Sequence, residues 1–163
     1  MHCSIMEKIN FTIREIKRQD LREVFQMLSC LVKYEKLEEK FKLSEKKMAN
    51  YLFGKNHDWF CLVVQDLMDN CLKGFVLYTF SNINRAFHLS PLLQIDHLYI
   101  KPSYRNYGLG ESLINELKNR AKIKGANRLE VWCLASNEIG NRFYKKTQAE
   151  KLDFINIYRI KNE

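Results

Sequence analysis

Three strand-like runs follow one another in the middle of the chain, and an amphipathic helix comes directly after them. The runs cover Trp59–Gln65, Lys73–Phe80 and Leu92–Ile100. Asp69 and Asn70 are turn-forming residues between the first two runs, which predicts an antiparallel hairpin. Apolar residues recur at helical spacing over Gly108–Lys124, and Gly125 can end that helix. This order predicts a sheet covered by helices.

Shorter elements are predicted on the N-terminal side of this centre. Phe11–Lys17 has strand character. Asp20 and Glu23 have the spacing of a capping box, which predicts the start of a helix at Asp20. Ser44 and Gly54 bracket a second, shorter helix as its N-cap and its end.

Three further elements are predicted after the long helix. Arg128–Leu134 has strand character, Asn137 can cap a helix that runs to about Lys146, and Asp153–Ile160 alternates as a final strand. The predicted order is β-α-α-β-β-β-α-β-α-β. This is an α/β (α+β) fold with a mixed, mostly antiparallel twisted sheet flanked by helices.

The length and composition favour one globular domain. A chain of 163 residues can bury one continuous core, and 46% hydrophobic with 28% charged residues excludes a disordered or fibrous class. We expect an N-terminal extension at residues 1–10 and a single domain at residues 11–163. Neither a signal peptide nor an apolar run of the roughly 20 residues that a membrane helix needs is visible, so we expect a cytoplasmic protein that does not bind a membrane.

Cysteine and histidine spacing predicts no disulfide framework and no metal site. The five cysteines are odd in number and show no C-x-x-C pair. The four histidines are scattered and show no H-E-x-x-H spacing.

The formal net charge of +8 has three explanations. It could serve nucleic-acid binding, it could be a lysine-rich surface without a specific partner, or it could attract an anionic cofactor. The basic residues are spread along the chain in several groups, which disfavours nucleic-acid binding.

The segment Tyr104–Gly110 follows a strand and begins a helix. Its two glycines, Gly108 and Gly110, let the backbone approach a bulky anion. The free N–H groups of the first helical turn then bind negative charge, and Arg105 can add a charge-assisted contact to a phosphate. From the spacing alone, a tight turn between strand and helix explains the segment equally well.

Two further segments decide between these interpretations. The pattern R-x-x-G-x-G resembles the acetyl-CoA pyrophosphate loop of the GNAT superfamily of N-acetyltransferases. Leu98–Pro102 resembles the strand that precedes this loop, and Asn137 followed by Asn141–Lys146 resembles the N-x(5)-F-Y signature of the next helix. The three matches occur in the family's order.

The resemblance implies acetyl-CoA as co-substrate and direct transfer of its acetyl group to a primary amine. The pantetheine arm is expected to pair with the backbone of β-strand residues, and the phosphates with the loop and the helix start. The implied cofactor-binding residues are Leu98, Tyr99, Ile100, Arg105, Asn106, Tyr107, Gly108, Leu109, Gly110, Glu111 and Asn137.

The resemblance also implies the catalytic residues. An alkylammonium must lose a proton before it attacks a thioester, and Asp96, His97 or water could accept that proton. Tyr144 is implied as the group that protonates the departing CoA thiolate. The alternative roles are structural: Tyr144 beside Phe143 could be a core aromatic, and Asn137 could be only an N-cap.

Within the superfamily, Leu31–Glu39 and Ile95–Ile100 resemble the diamine (spermidine/spermine) and thialysine N-acetyltransferases. That subgroup has two adjacent carboxylates on the strand, whereas here Asp96 is followed by His97. Glu35, Glu38 and Asp96 are the implied acceptor-binding carboxylates, although solvated surface positions would also explain the two glutamates.

The implied acceptor is a diamine, a polyamine or a lysine-like small molecule, and the implied assembly is a homodimer. Two alternatives stay open at this point. One is acetylation of a protein lysine or N-terminal amine, and the other is a non-catalytic module that binds CoA or nucleic acid.

Overall fold

The computed structural model describes residues 10–82 and 90–161. The contacts divide the chain into two compact units, one that ends at Trp132 and one that begins at Cys133. The first unit contains β1 (Phe11–Glu15), α1 (Leu21–Tyr34), α2 (Glu45–Phe53), β2 (Phe60–Asp66), β3 (Leu72–Ser81), β4 (Leu92–Ile100), α3 (Leu109–Ile123) and β5 (Arg128–Val131). The second contains α4 (Glu138–Lys146). The predicted N-terminal extension lies, but for Asn10, outside the described residues.

The strands form one sheet in the order β1-β2-β3-β4-β5. Neighbours from β1 to β4 are antiparallel, and β5 pairs with β4 in parallel from Leu92–Arg128 to Ile95–Val131. The mixed, mostly antiparallel sheet predicted from the sequence is therefore confirmed. Among residues 10–82 and 90–161, no helix combines the length and apolar character needed to cross a bilayer.

Helices cover the two faces of the sheet. Buried residues of α1 and α2, such as Leu28 and Met48, form a core cluster with Leu77 and Tyr99 of the sheet. Tyr78, the neighbour of Leu77, interacts instead with Arg120 of α3. Because successive strand residues point to opposite faces, α3 packs on the face opposite to α1 and α2.

Helix ends follow the predicted caps at several positions. The Ser44 hydroxyl accepts a hydrogen bond from the Lys47 N–H at 3.3 Å, and Gly54 ends α2. Gly108 precedes α3 with φ of 79°, and Gly125 follows it with φ of 71°. Both glycines occupy the left-handed region that other residues rarely adopt, which explains why glycine stands at each position.

The predicted capping box at Asp20 is wrong. The Asp20 carboxylate makes no hydrogen bond to the first turn of α1. It accepts two hydrogen bonds from the Arg14 guanidinium, at 2.7 and 3.1 Å, and one from the Lys17 N–H at 2.7 Å. A bidentate bond to a guanidinium is stronger than a bond to a neutral N–H. The Asp20 carboxylate therefore binds Arg14 and not the N–H groups of the first turn of α1.

The predicted last strand is also wrong. Residues 153–160 form no strand, and Phe154, Tyr158 and Ile160 are 78%, 84% and 90% exposed. Alternating apolar residues define the faces of a strand, but a strand forms only where a neighbour provides hydrogen bonds. The strand predicted over Arg128–Leu134 ends early, at Val131, where its pairing with β4 ends.

The Arg14–Asp20 pair should contribute measurably to stability. Burial opposes ionisation of Asp20, but the bonds from Arg14 and Lys17 outweigh it and hold the pKa of Asp20 below its usual value. Asp20→Asn should therefore lower the free energy of unfolding at pH 7 by about 1–3 kcal/mol, measured by urea denaturation. This stabilisation is present above the pKa of Asp20 in the unfolded state. The difference in free energy of unfolding between the wild type and Asp20→Asn should therefore become smaller below about pH 4.

Asp153→Asn is the matched control, because the Lys151–Asp153 pair is 85% and 75% exposed. An exposed pair of this kind contributes little to stability, because solvent and salt screen it. Equal effects of the two substitutions would contradict the assigned role of the Arg14–Asp20 pair.

Candidate active site

A β-bulge in β4 determines the geometry around Asp96. Leu77 of β3 pairs with His97 and Tyr78 pairs with Ile95, so Asp96 is an extra residue with no partner on β3. A regular strand would place neighbouring side chains on opposite faces, but a bulge turns two successive residues to the same side. Both Asp96 and His97 accordingly interact with Trp59.

Asp96 combines burial with incomplete hydrogen bonding. Its Oδ2 atom is buried and finds no hydrogen-bond partner in the described part of the chain. Burial raises the pKa of Asp96 to about 6, the hydrogen-bonding indole of Trp59 opposes this rise, and the Asp58 carboxylate adds to it. A carboxylate in this state attracts a cation and can accept a proton near neutral pH.

His97 lies beside Asp96 in a more apolar setting. Its ring is 6.4 Å from the Trp59 ring, centroid to centroid, at an interplanar angle of 87°. Burial lowers the pKa of His97, so the imidazole is neutral at pH 7. The structure thus places both predicted base candidates on one side of the sheet.

The second half of β4 has one open edge. Pairing with β5 ends at Ile95, while pairing with β3 continues to Ile100. Among the described strands, residues 96–100 therefore have a neighbour on one side only, and their other edge can pair with an extended ligand. Leu98, Tyr99 and Ile100, the residues predicted to bind pantetheine, lie along this edge.

The Arg105–Gly110 loop joins β4 to α3. Arg105 donates from Nε to the Ile100 carbonyl at 3.0 Å, and its guanidinium lies 5.7 Å from the centre of the Tyr99 ring. A Cβ atom added to Gly108 would meet no atom within 4 Å, so the backbone there faces open space. The first N–H groups of α3 lack helical partners and carry the positive end of the helix dipole.

The other predicted loop residues contribute in different ways. Asn106 has φ of 66°, and Tyr107 is 42% exposed. Leu109 is 1% exposed, so its side chain is in the core and only its backbone can contact a ligand. Gly110 and Glu111 stand in the first turn of α3, where an acidic side chain complements the helix dipole.

A buried lysine anchors the start of this loop. Lys73 is 3% exposed and forms ion pairs with Asp69 and, at 3.7 Å, with Asp66. Its Nζ lies 4.5 Å from the centre of the Tyr104 ring, and its carbonyl accepts from the Lys101 N–H at 2.9 Å. The β2–β3 hairpin thereby fixes the chain immediately before Arg105.

The predicted acceptor-binding glutamates lie at the C-terminal end of α1. Glu23 near the start of α1 pairs with Lys101 at 2.9 Å, and Cys30 hydrogen-bonds with Tyr99. The helix therefore runs antiparallel to β4, and its end points toward the Asp96 half of that strand. Glu35 caps α1 and is half-buried, whereas Glu38 is exposed.

The second unit contains Asn137 and Tyr144. The Asn137 side chain accepts from the Gly140 N–H at 2.8 Å, so it is the N-cap of α4. Tyr144 is half-buried, and its ring lies 5.1 Å from that of Phe143. No residue of α4 is fully buried, which disfavours the interpretation of Tyr144 as a core aromatic.

Sequence reasoning missed three residues around this site. Trp59 and Lys73 are predicted only as the first residues of strands, and Asp58 is assigned no role. Their positions depend on the register of β2, β3 and β4, which no local pattern reveals. Residues 10–82 and 90–161 contain no group of three or more His, Cys, Asp or Glu side chains arranged to hold a metal ion.

Several proteins with similar sequences are acetyltransferases. Residues 21–149 match the model of the acetyltransferase (GNAT) family. A thialysine N-epsilon-acetyltransferase of Bos taurus is 30% identical over 146 residues, which cover 86% of this chain and 84% of that protein.

Two solved structures illustrate the shared fold. A ribosomal-protein-alanine N-acetyltransferase of Brucella melitensis biovar Abortus 2308 has a TM-score of 0.70 at 20% identity, with 93% of this chain and 99% of that chain covered. An aminoglycoside N-acetyltransferase in complex with CoA has a TM-score of 0.76 at 14% identity, with 97% and 99% covered. The match over residues 21–149 places the chain in the GNAT acetyltransferase family, and it is an acetyl-transferring enzyme.

Proposed function

We propose that this N-acetyltransferase uses acetyl-CoA to acetylate a small primary amine that carries a second positive charge, such as a diamine, a polyamine or a lysine-like compound. The observation that carries the proposal is the half-buried Asp96 at a bulge beside an open strand edge, whose buried Oδ2 atom has no hydrogen-bond partner among the described residues. The similarity to the thialysine N-epsilon-acetyltransferase of Bos taurus supports the same acceptor class.

Acetyl-CoA is assigned to β4 and the loop that follows it. Its phosphates would contact the Arg105–Gly110 loop and the N–H groups of Leu109, Gly110 and Glu111. Its pantetheine arm would pair with the free edge of Leu98–Ile100 as an added strand. The open space in front of the Gly108 backbone supports this assignment.

Asp96 is the general base in this proposal. The acceptor binds as an ammonium, with Glu35 and Glu38 contributing negative charge, and Asp96 takes one proton from its nitrogen. The neutral amine then attacks the thioester carbonyl, and the new C–N bond forms as the carbonyl becomes tetrahedral. A backbone N–H along β4 can stabilise the oxyanion.

Collapse of the tetrahedral intermediate breaks the C–S bond. The departing thiolate takes a proton from Tyr144, and the second proton of the amide nitrogen returns to the tyrosinate through solvent. Asp96 then releases the proton that it took from the ammonium to solvent. In sum, an ammonium and acetyl-CoA give an amide, CoA thiol and one released proton. Tyr144 holds this role through the resemblance of Asn137–Lys146 to the family signature.

Acetylation of a panel of amines tests the proposed function directly. Purified protein with acetyl-CoA should release thiol fastest with diaminopentane and with an Nα-blocked lysine. Their kcat/KM values should exceed that of aminopentane about tenfold or more, because carboxylates hold the second ammonium. The panel also includes a lysine peptide and a peptide with a free N-terminus.

Two results would overturn the proposal. Equal kcat/KM values for diaminopentane and aminopentane would remove the dicationic preference. A peptide acetylated faster than every small amine would make the protein acetylation alternative the better assignment.

The cofactor site is tested by a pair of glycine substitutions. Gly108→Ala should weaken acetyl-CoA binding about tenfold or more, since its methyl group enters the space assigned to the pyrophosphate. The measurement is the rise in melting temperature with acetyl-CoA concentration.

Gly125→Ala is the matched control for backbone strain. Gly125 also has positive φ, 71°, and open space at its Cβ position, so both variants carry the same conformational penalty. Only Gly108→Ala should lose the acetyl-CoA response. Equal responses of the two variants would show that the cofactor site lies elsewhere.

The pH profile tests Asp96 as the base. The base must be ionised, and its pKa is raised to about 6, so kcat/KM should fall as the pH drops through about 6. Asp96→Asn should lower kcat about 10²-fold and abolish this acidic limb of the pH profile, the fall of kcat/KM near pH 6. Because burial disfavours the ionised form, the same variant should also melt at a higher temperature at pH 8.

Tyr144→Phe distinguishes the proposed general acid, Tyr144, from the proposed general base, Asp96. It should lower kcat while the limb near pH 6 and the acetyl-CoA affinity persist, because the Asp96 carboxyl is unchanged. A normal acidic limb in Asp96→Asn would exclude Asp96 as the base.

A further inference from the structure

The loop before β2 carries an acidic and an aromatic residue to the bulge in β4. The Trp59 ring lies 6.4 Å from His97 and 5.6 Å from Tyr51, centroid to centroid, and is nearly perpendicular to each. The indole also interacts with the Asp96 carboxylate. Trp59 therefore links α2, the start of β2 and the bulge.

Packing fixes the backbone on both sides of Asp58. The Trp59 N–H donates to the Tyr51 carbonyl at 3.3 Å, and Trp59 packs against the core cluster of α1 and α2. On the other side, the His57 N–H donates to the Gly54 carbonyl at 3.2 Å. Asp58 is thus an exposed carboxylate on a segment that backbone hydrogen bonds fix on both sides. The next residue is Trp59, which interacts with both Asp96 and His97.

The arrangement has the chemistry of an alkylammonium site. Asp96 is half-buried with a buried Oδ2 atom, and Asp58, the residue before Trp59, is exposed. Trp59 and the 47%-exposed Tyr51 present aromatic surface that can cover methylene groups and attract a cation. Two carboxylates at different depths match a ligand with two ammonium groups joined by an apolar chain.

We propose that Asp58 binds the second ammonium of the acceptor while Asp96 deprotonates the first, with the Trp59 ring against the chain between them. The proposal rests on the proposed function and deepens it. The diamine and thialysine N-acetyltransferases that this sequence resembles have two adjacent carboxylates on the strand, whereas here His97 follows Asp96. The proposal identifies Asp58 as the second carboxylate. The carboxylate belongs to a different element, the loop before β2.

Asp58→Asn is the test, with Glu116→Gln as the charge-matched control. Glu116 is on α3, which packs on the opposite face of the sheet from Trp59, and it pairs with Arg120. Asp58→Asn should lower kcat/KM for diaminopentane about three- to tenfold, the range of a partly exposed ion pair, and leave aminopentane and the KM for acetyl-CoA unchanged. Glu116→Gln should leave the ratio of kcat/KM for diaminopentane to kcat/KM for aminopentane unchanged.

Salt and a conservative substitution provide two further readouts. Added salt should reduce the diamine preference of the wild type and leave that of Asp58→Asn nearly constant, since the screened pair is already gone. Trp59→Phe should retain more diamine activity than Trp59→Leu, because it keeps an aromatic face.

The outcomes separate this inference from the proposed function. If the wild type acetylates no small amine, the proposed function fails. If the wild type prefers diamines but Asp58→Asn lowers kcat/KM equally for both amines, or for neither, the assignment of Asp58 is overturned. The proposed function then stands.

Discussion

Antiparallel pairing with β3 holds β4 along its length, whereas β5 pairs in parallel with residues 92–95 only. The difference arises at Asp96, where the extra residue of the bulge bends the strand and increases its twist. Beyond that point β4 has a neighbour on one edge only among the strands of residues 10–82 and 90–161. The same bulge turns Asp96 and His97 to one side. The bulge therefore marks the point in β4 where pairing on both edges gives way to pairing on one edge, and it also determines the side to which Asp96 turns.

Elements that depend on neighbouring residues could be predicted from the sequence. The structure gives β4 the predicted bounds, Leu92–Ile100, because its apolar run is long and ends at Pro102. Gly108 and Gly125 bracket α3 because each must adopt a left-handed conformation. Ser44 and Asn137 cap their helices as expected, since a cap reaches only two or three residues along the chain.

Features that depend on distant partners could not be predicted. Asp20 has the spacing of a capping box, but Arg14 of β1 holds its carboxylate. Residues 153–160 have the alternation of a strand, but alternation does not specify a hydrogen-bonding neighbour. At the site, the family pattern indicated Asp96, whereas Trp59 and Asp58 could be found only once the register of β2 against β3 and β4 was known.

The surroundings of Asp96 explain how a carboxylate can serve a base role that its usual pKa does not favour. Burial works against its charge, Trp59 compensates only in part, and Asp58 adds repulsion, so the ionised site is destabilised above pH 6. In the proposed function, an incoming ammonium relieves that cost by pairing with Asp96. Once the amine transfers its proton, Asp96 becomes neutral, which is the form that burial favours. In the arrangement that we propose for Asp58, the second ammonium remains with that carboxylate, so the acceptor stays bound while its reacting nitrogen becomes a nucleophile.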